Sequence, residues 1–143
     1  MSLALLDVNV LIALIDPTHQ HHDAAHAWFF DCRDGGWATC STTENGVIRI
    51  VSHPRYSNSQ PVATVMDSLD TLVAVPGHRR ITEDVTLLSA DVDRSRMLSS
   101  TQVTDTYLLY LAHANRAQLA TFDRRLSTAA LPQATDAILQ IPD

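Results

Sequence analysis

Four carboxylates stand where a short apolar, strand-like run gives way to a helix-like one: Asp7 in LALLDVNVLIAL, Glu44 in ATCSTTENGVIRIV, Asp105 in QVTDTYLLYLA and Asp123 in QLATFDRRL. A chain punctuated in this way has few folds open to it. Short continuous apolar runs suit strands buried on both faces of a parallel sheet, and strands alternating with helices build an α/β layer structure. In such sheets ligands bind outside the carboxyl ends of the strands, so the four acids are expected on one rim. Gathered there, they repel one another unless a hard divalent cation neutralises them. The pattern points to metal-dependent phosphoryl-transfer chemistry.

The hydrophobic periods supply the elements. Leu3–Leu6 reads as a buried strand, followed by a helix from Val8 to Ile15 that Asp16-Pro17 stops. A second helix is expected from about His19, with Ala25, Trp28, Phe29 and Cys32 on one stripe, ending at Gly35-Gly36. Trp37–Cys40 reads as a strand, and Ser41 as the N-cap of a helix with Val47, Ile50 and Val51 on one face. Val62, Val65, Met66, Leu69, Leu72 and Val73 hold the helical period for three turns, and Met66 is expected in the core. The rest reads as an exposed strand Arg79–Thr82, a helix holding Val85, Leu88 and Val92, a polar loop Ser99–Gln102 and a helix opened by Thr104. Strand Gln118–Thr121, a short helix Asp123–Ala130 and a last strand Ala137–Ile141 complete it. One domain over residues 1–143 follows, a three-layer α/β/α arrangement around a mostly parallel sheet.

Composition narrows the function. A formal charge of −6 gives no broad attraction to nucleic acid, yet all ten basic residues are arginine, whose planar fork suits phosphate or carboxylate. The absence of lysine excludes chemistry that needs a lysine side chain. Cys32 and Cys40 are too few for a disulfide framework, which favours a reducing cytoplasm. The apolar start carries no basic residue and is broken by Asp7 and Asn9, so it reads as neither signal peptide nor membrane anchor. His22 and His26 have the i, i+4 spacing of helical zinc ligands, but no HExxH or paired-cysteine motif accompanies them.

Each acid alone also has a capping explanation: Asp7 and Asp123 at the helices after them, Glu44 in a Ser41–Glu44 capping box, Asp105 at a positive helix end. Capping does not explain why one side-chain type recurs at the ends of successive apolar runs. Over nearly its whole length the chain resembles the PIN-domain ribonucleases, and specifically the VapC-type toxins of bacterial toxin–antitoxin pairs. The resemblance rests on LLDVNVLIAL, the histidine-rich stretch His19–Phe29, TTENGVIRIV, VPGHRRI and VTDTYLLYLAHANRAQLATFDRRL. In the last segment an aspartate opens a helix and a second follows a strand eighteen residues later.

That resemblance implies a PIN-like fold, RNA hydrolysis with Mg²⁺ or Mn²⁺, and an acidic site of Asp7, Glu44, Asp105 and Asp123. Asp7 and Asp105 would be direct ligands. Glu44 would hold a metal-bound water or act as its base, and Asp123 would complete the shell or bind a second ion. Asn9 would orient Asp7, Thr121 would support Asp123, and Arg124 would grip the RNA backbone, with Arg125 a weaker candidate. A VapB-type antitoxin covering the groove, a homodimer using part of Val62–Val73, and no membrane association are implied with it. The rivals are a housekeeping PIN nuclease of RNA maturation or decay and a haloacid-dehalogenase-like phosphatase. The phosphatase would need a second aspartate where Asn9 stands, and a lysine. A non-catalytic binding module would keep the fold and lose the acids.

Overall fold

The computed structural model describes residues 3–143; Met1 and Ser2, which begin the apolar N-terminal run, lie outside the described residues. The elements are β1 (Leu3–Leu6), α1 (Val8–Ile15), α2 (His22–Cys32), β2 (Trp37–Thr39), α3 (Ser41–Val51) and α4 (Val62–Val73). They continue with β3 (His78–Arg80), α5 (Gln102–Ala114), β4 (Ala117–Thr121) and β5 (Ile138–Gln140), with 3₁₀ turns at Arg33–Gly35, Arg94–Arg96 and Pro132–Ala137. The five strands lie in the order β3-β2-β1-β4-β5, and every pairing is parallel. The chain therefore lays β1, β2 and β3 outward in one direction and returns to place β4 and β5 on the other side of β1. That reversal puts the topological switch point between β1 and β4, where a crevice opens at the carboxyl ends of the strands.

The alternation of strand side chains divides the interior into two cores. Ala4, Leu6, Trp37 and Ala120 face the layer formed by α1, α2, α3 and α4. Leu5, Ala38 and Leu119 face α5 and the Ala130–Ala137 segment. Because both faces are covered, β1 reads as an unbroken apolar run. α1 is apolar almost all round, and Val10–Leu14 are all buried, as a helix enclosed between the sheet and other helices must be.

Sequence and structure part company in several places, among them β3, which spans His78–Arg80 rather than Arg79–Thr82. The helix expected through Val85, Leu88 and Val92 does not form, and Leu88 is 78% exposed. Here Thr86 Oγ1 accepts from Leu88 N and Ser89 Oγ from Asp91 N, local side-chain bonds that offer the backbone an alternative to helix. The short helix expected at Asp123–Ala130 is a turn, closed by Arg125 N donating to Asp123 Oδ1. α2 begins at His22 rather than His19, and α5 begins at Gln102, two residues before Thr104. Met66 is not core: it is 48% exposed, while Val65 and Leu69 of the same helix are buried.

The histidines have a structural use. His22 Nδ1–H donates to Ala13 O and His26 Nε2–H to Leu14 O, satisfying two carbonyls at the end of α1 that have no intrahelical partner. Asp16, only 4% exposed, closes the same end. It accepts from Tyr56 Oη, Asn58 Nδ2 and both donors of Thr18, tying α1 to the segment before α4. Burial opposes its charge, but these bonds outweigh burial and bring its pKa from 3.8 down to about 2. The stability it contributes is therefore present above pH 3.8 and is lost as pH falls through about 2. Asp16→Ala is expected to lower the urea unfolding free energy at pH 7 by about 3 kcal/mol. The gap from the parent should narrow toward pH 2, and a loss below about 1 kcal/mol at pH 7 contradicts the assignment.

Candidate active site

The site is built on the switch point. Asp7 follows β1 directly, its N–H still bonded to Ala120 O across β4 at 2.9 Å. It is 6% exposed and caps α1, with Val8 N donating to Oδ1 at 2.7 Å. Its second oxygen is held by Thr121, the last residue of β4, whose hydroxyl donates to Oδ2 at 2.7 Å. The same hydroxyl oxygen accepts from Asn9 Nδ2 at 3.2 Å and from Asp123 N at 3.0 Å, which uses its one donor and both acceptor sites. Asn9 Oδ1 in turn accepts from Phe122 N at 3.2 Å. Asn9 is thus a strut between the two strand ends, and both its amide groups are engaged. Thr121, expected from the sequence to support Asp123, also fixes Asp7.

Asp105 projects from the first turn of α5 and shares a cleft of about 630 Å³ with Asp7, Thr42, Asn45, Gly46, Arg49 and Thr104. Gly46 permits the close approach of α3 to α1 that shapes the cleft, since a Cβ there would lie 3.0 Å from Val8 Cγ2. Burial raises the Asp105 pKa from 3.8 to about 6, with the charges of Asp7 and Asp123 adding to it. Burial also raises Asp7, against the bonds from Thr121 and Val8 and with the charge of Asp123. Asp105 therefore feels the charges of both Asp7 and Asp123, and Asp7 feels that of Asp123. Among the described residues none of them has an ion-pair partner.

Glu44 is not brought to this group. Its carboxylate lies in a neighbouring cleft with Ile48, Met66, Asp70 and Arg80, accepting from Thr39 Oγ1 at 2.6 Å and pairing with Arg80 Nη2 at 2.9 Å. His78 Nε2–H donates to the same Thr39 oxygen at 2.8 Å. Of the four acids expected together, Asp7 and Asp105 line one cleft, Asp123 lies near enough to raise both their pKa values, and Glu44 lines the neighbouring cleft. The capping box expected at Ser41–Glu44 is built instead by Cys40 and Thr43. Arg124 is paired with Asp143 at 2.9 Å rather than turned into the cleft.

Two contributors escaped the sequence reading. Glu83 caps α3 from outside it, accepting from Thr42 N at 3.0 Å and from the Thr42 hydroxyl, and takes a 2.7 Å bond from Tyr107 Oη of α5. It therefore fastens α5, which carries Asp105, to the first turn of α3. A contact 41 residues apart in sequence has no local signature. Arg49 was legible: it falls seven residues after Thr42, on the same helical stripe.

An all-oxygen set of buried and half-buried, mutually repelling carboxylates, none of them ion-paired to a basic side chain among the described residues, suits a hard divalent ion, which needs only one or two protein carboxylates and completes its shell with water and phosphate. Among the described residues no three His, Cys, Asp or Glu side chains stand close enough to hold an ion on their own. The fit is therefore to a water-rich divalent-ion site and not to a closed protein cage.

Fold and site together define a parallel α/β domain with an acidic cleft at its topological switch point. The PIN domain family model matches residues 4–131. Ribonuclease VapC44 of Mycobacterium tuberculosis is 44% identical over 133 residues, covering 92% of this chain and 94% of that protein. Ribonuclease VapC38 of the same organism is 40% identical, with 90% of each chain covered. Among solved structures, VapBC2 from Rickettsia felis bound to a DNA fragment from their promoter superposes with a TM-score of 0.60 at 15% identity, covering 96% of this chain and 97% of that one. The chain belongs to the PIN domain family, alongside relatives named Ribonuclease VapC.

The raised pKa of Asp105 has a thermodynamic consequence in metal-free protein. The protonated form is favoured by folding, so the stability linked to it is full below pH 3.8 and lost as pH rises through about 6. Asp105→Asn is expected to melt above the parent at pH 7.5 in a chelator, with the difference fading by pH 4. A variant that melts at or below the parent at pH 7.5 contradicts the mutual repulsion described above.

Proposed function

We propose that this chain is a divalent-metal-dependent endoribonuclease, the toxin of a VapBC-type toxin–antitoxin pair. One observation carries the reading: Asp7, after β1, and Asp105, at the start of α5, share one cleft with no basic side chain paired to either among the described residues, in a chain 44% identical to a protein named as a ribonuclease. The likeness to a VapBC complex supports a VapB-type antitoxin as partner. Homodimerisation, an RNA substrate and a cytoplasmic setting belong to the same proposal. Val62 and Met66 on the outer face of α4, 51% and 48% exposed, offer apolar surface for a dimer.

Asp7 and Asp105 are assigned to hold Mg²⁺ or Mn²⁺, with Asp123 completing the shell through water or at a second ion. When bound, the ion would lower the pKa of a coordinated water and draw off negative charge from the phosphoryl oxygens. Thr121 and Asn9 fix the direction of the Asp7 carboxylate, so its geometry is set before substrate arrives. Glu44 is assigned to position the attacking water. That role requires its carboxylate to leave Arg80 and Thr39.

Purified protein is expected to cleave RNA with Mn²⁺ or Mg²⁺ and not in a chelator. Asp7→Asn and Asp105→Asn should fall to background, and Thr121→Val or Asn9→Ala should lose about 10–100-fold, the usual cost of removing a group that orients a metal ligand. Cleavage by both aspartate variants at the parent's rate would reject the site.

A further inference from the structure

We infer that Arg49 is the residue that binds an RNA backbone phosphate inside the acidic cleft, in place of the Arg124 that the sequence put forward. The inference rests on the nuclease reading and adds the means by which an acidic protein accepts a polyanion at a site made of aspartates. Thr42, Asn45, Gly46 and Arg49 form one stripe of α3, and all four line the cleft shared with Asp7 and Asp105. Among the described residues Arg49 is the one basic side chain in that lining. It is exposed, and among the described residues it forms neither an ion pair nor a side-chain hydrogen bond. It stands in the same cleft as two aspartates without pairing with either, so it is not acting as their counter-ion. Its guanidinium fork is free for the two-point contact that a phosphate offers.

Of the other arginines near the strand ends, Arg79 and Arg125 do not line this cleft, and two are engaged. Arg80 is tied to Glu44 and Arg124 to Asp143. Thr42 lies about 10 Å along the helix from Arg49 at 1.5 Å per residue. The stripe thus runs from the carboxylates outward, and a strand laid along it would keep one phosphate at the acids and a neighbouring one at Arg49. Asn45, between them, adds an amide to the same track.

The test uses a single-stranded RNA oligonucleotide in an Asp105→Asn background, with binding followed by fluorescence anisotropy across a salt series in Mg²⁺. Adding Arg49→Ala is expected to weaken binding about tenfold, the size of one charge-assisted contact. It should also make the slope of log K against log salt shallower by roughly 0.7, the value of one phosphate contact on a single strand. Arg49→Lys keeps the charge and should retain the slope while losing part of the affinity. Arg55→Ala, an exposed arginine outside the cleft, should change neither. In the otherwise intact enzyme Arg49→Ala should raise KM more than it lowers kcat. Equal affinity and equal slope with and without Arg49 overturn the inference, as does a loss matched by Arg55→Ala. Cleavage surviving in Asp105→Asn would instead refute the metal site, so the two readings fail separately.

Discussion

The hydrogen bond from the Thr121 hydroxyl to the Asp7 carboxylate carries the rest of this structure. It joins the last residue of β4 to the residue that follows β1, across the place where the order of the strands reverses. A carboxylate 6% exposed is costly to keep charged, and the cost rises with each neighbouring acid. The bonds from Thr121 and Val8 offset part of that cost and fix the direction of both oxygens. What remains unbalanced is a local excess of negative charge. Under the proposed function a bound divalent cation would satisfy it, and stability and function would meet at this point.

Around that knot the fold arranges two clefts on adjacent faces of α3. One holds Asp7, Asp105 and Arg49, the other Glu44 and Arg80, and Asn45 borders both. Glu83 keeps α3 and α5 in register by taking bonds from Thr42 and Tyr107. Burial opposes its charge, but these bonds hold its pKa below the ordinary glutamate value, so it remains an ionised cap at the positive end of α3. A connection between α5, which bears Asp105, and the first turn of α3 thus comes from a residue outside both clefts.

Much of this was legible in the sequence, for reasons that can be named. Strands buried on both faces leave unbroken apolar runs, so β1 and β4 were found to within one residue. The acids after them stood out because polar residues ending such runs are conspicuous. The departures have two causes. Thr86, Ser89 and Asp123 use their side chains to bind nearby backbone N–H groups, and that local chemistry defeated an apolar period that otherwise read as helix. Glu44 was placed with the aspartates because it ends a strand-like run, yet its partner Arg80 lies 36 residues away on β3, and nothing local announces the pair. Long-range ionic partners, unlike hydrophobic periods, leave no mark in a single sequence.

The most direct measurement is anomalous diffraction from crystals soaked in Mn²⁺. A shared site requires a manganese peak at roughly 2.0–2.6 Å from a carboxyl oxygen of Asp7 and of Asp105, with Asp123 in its water shell. Crystals that place the metal elsewhere, or that leave these two carboxyl groups more than roughly 10 Å apart in the soaked protein, contradict it.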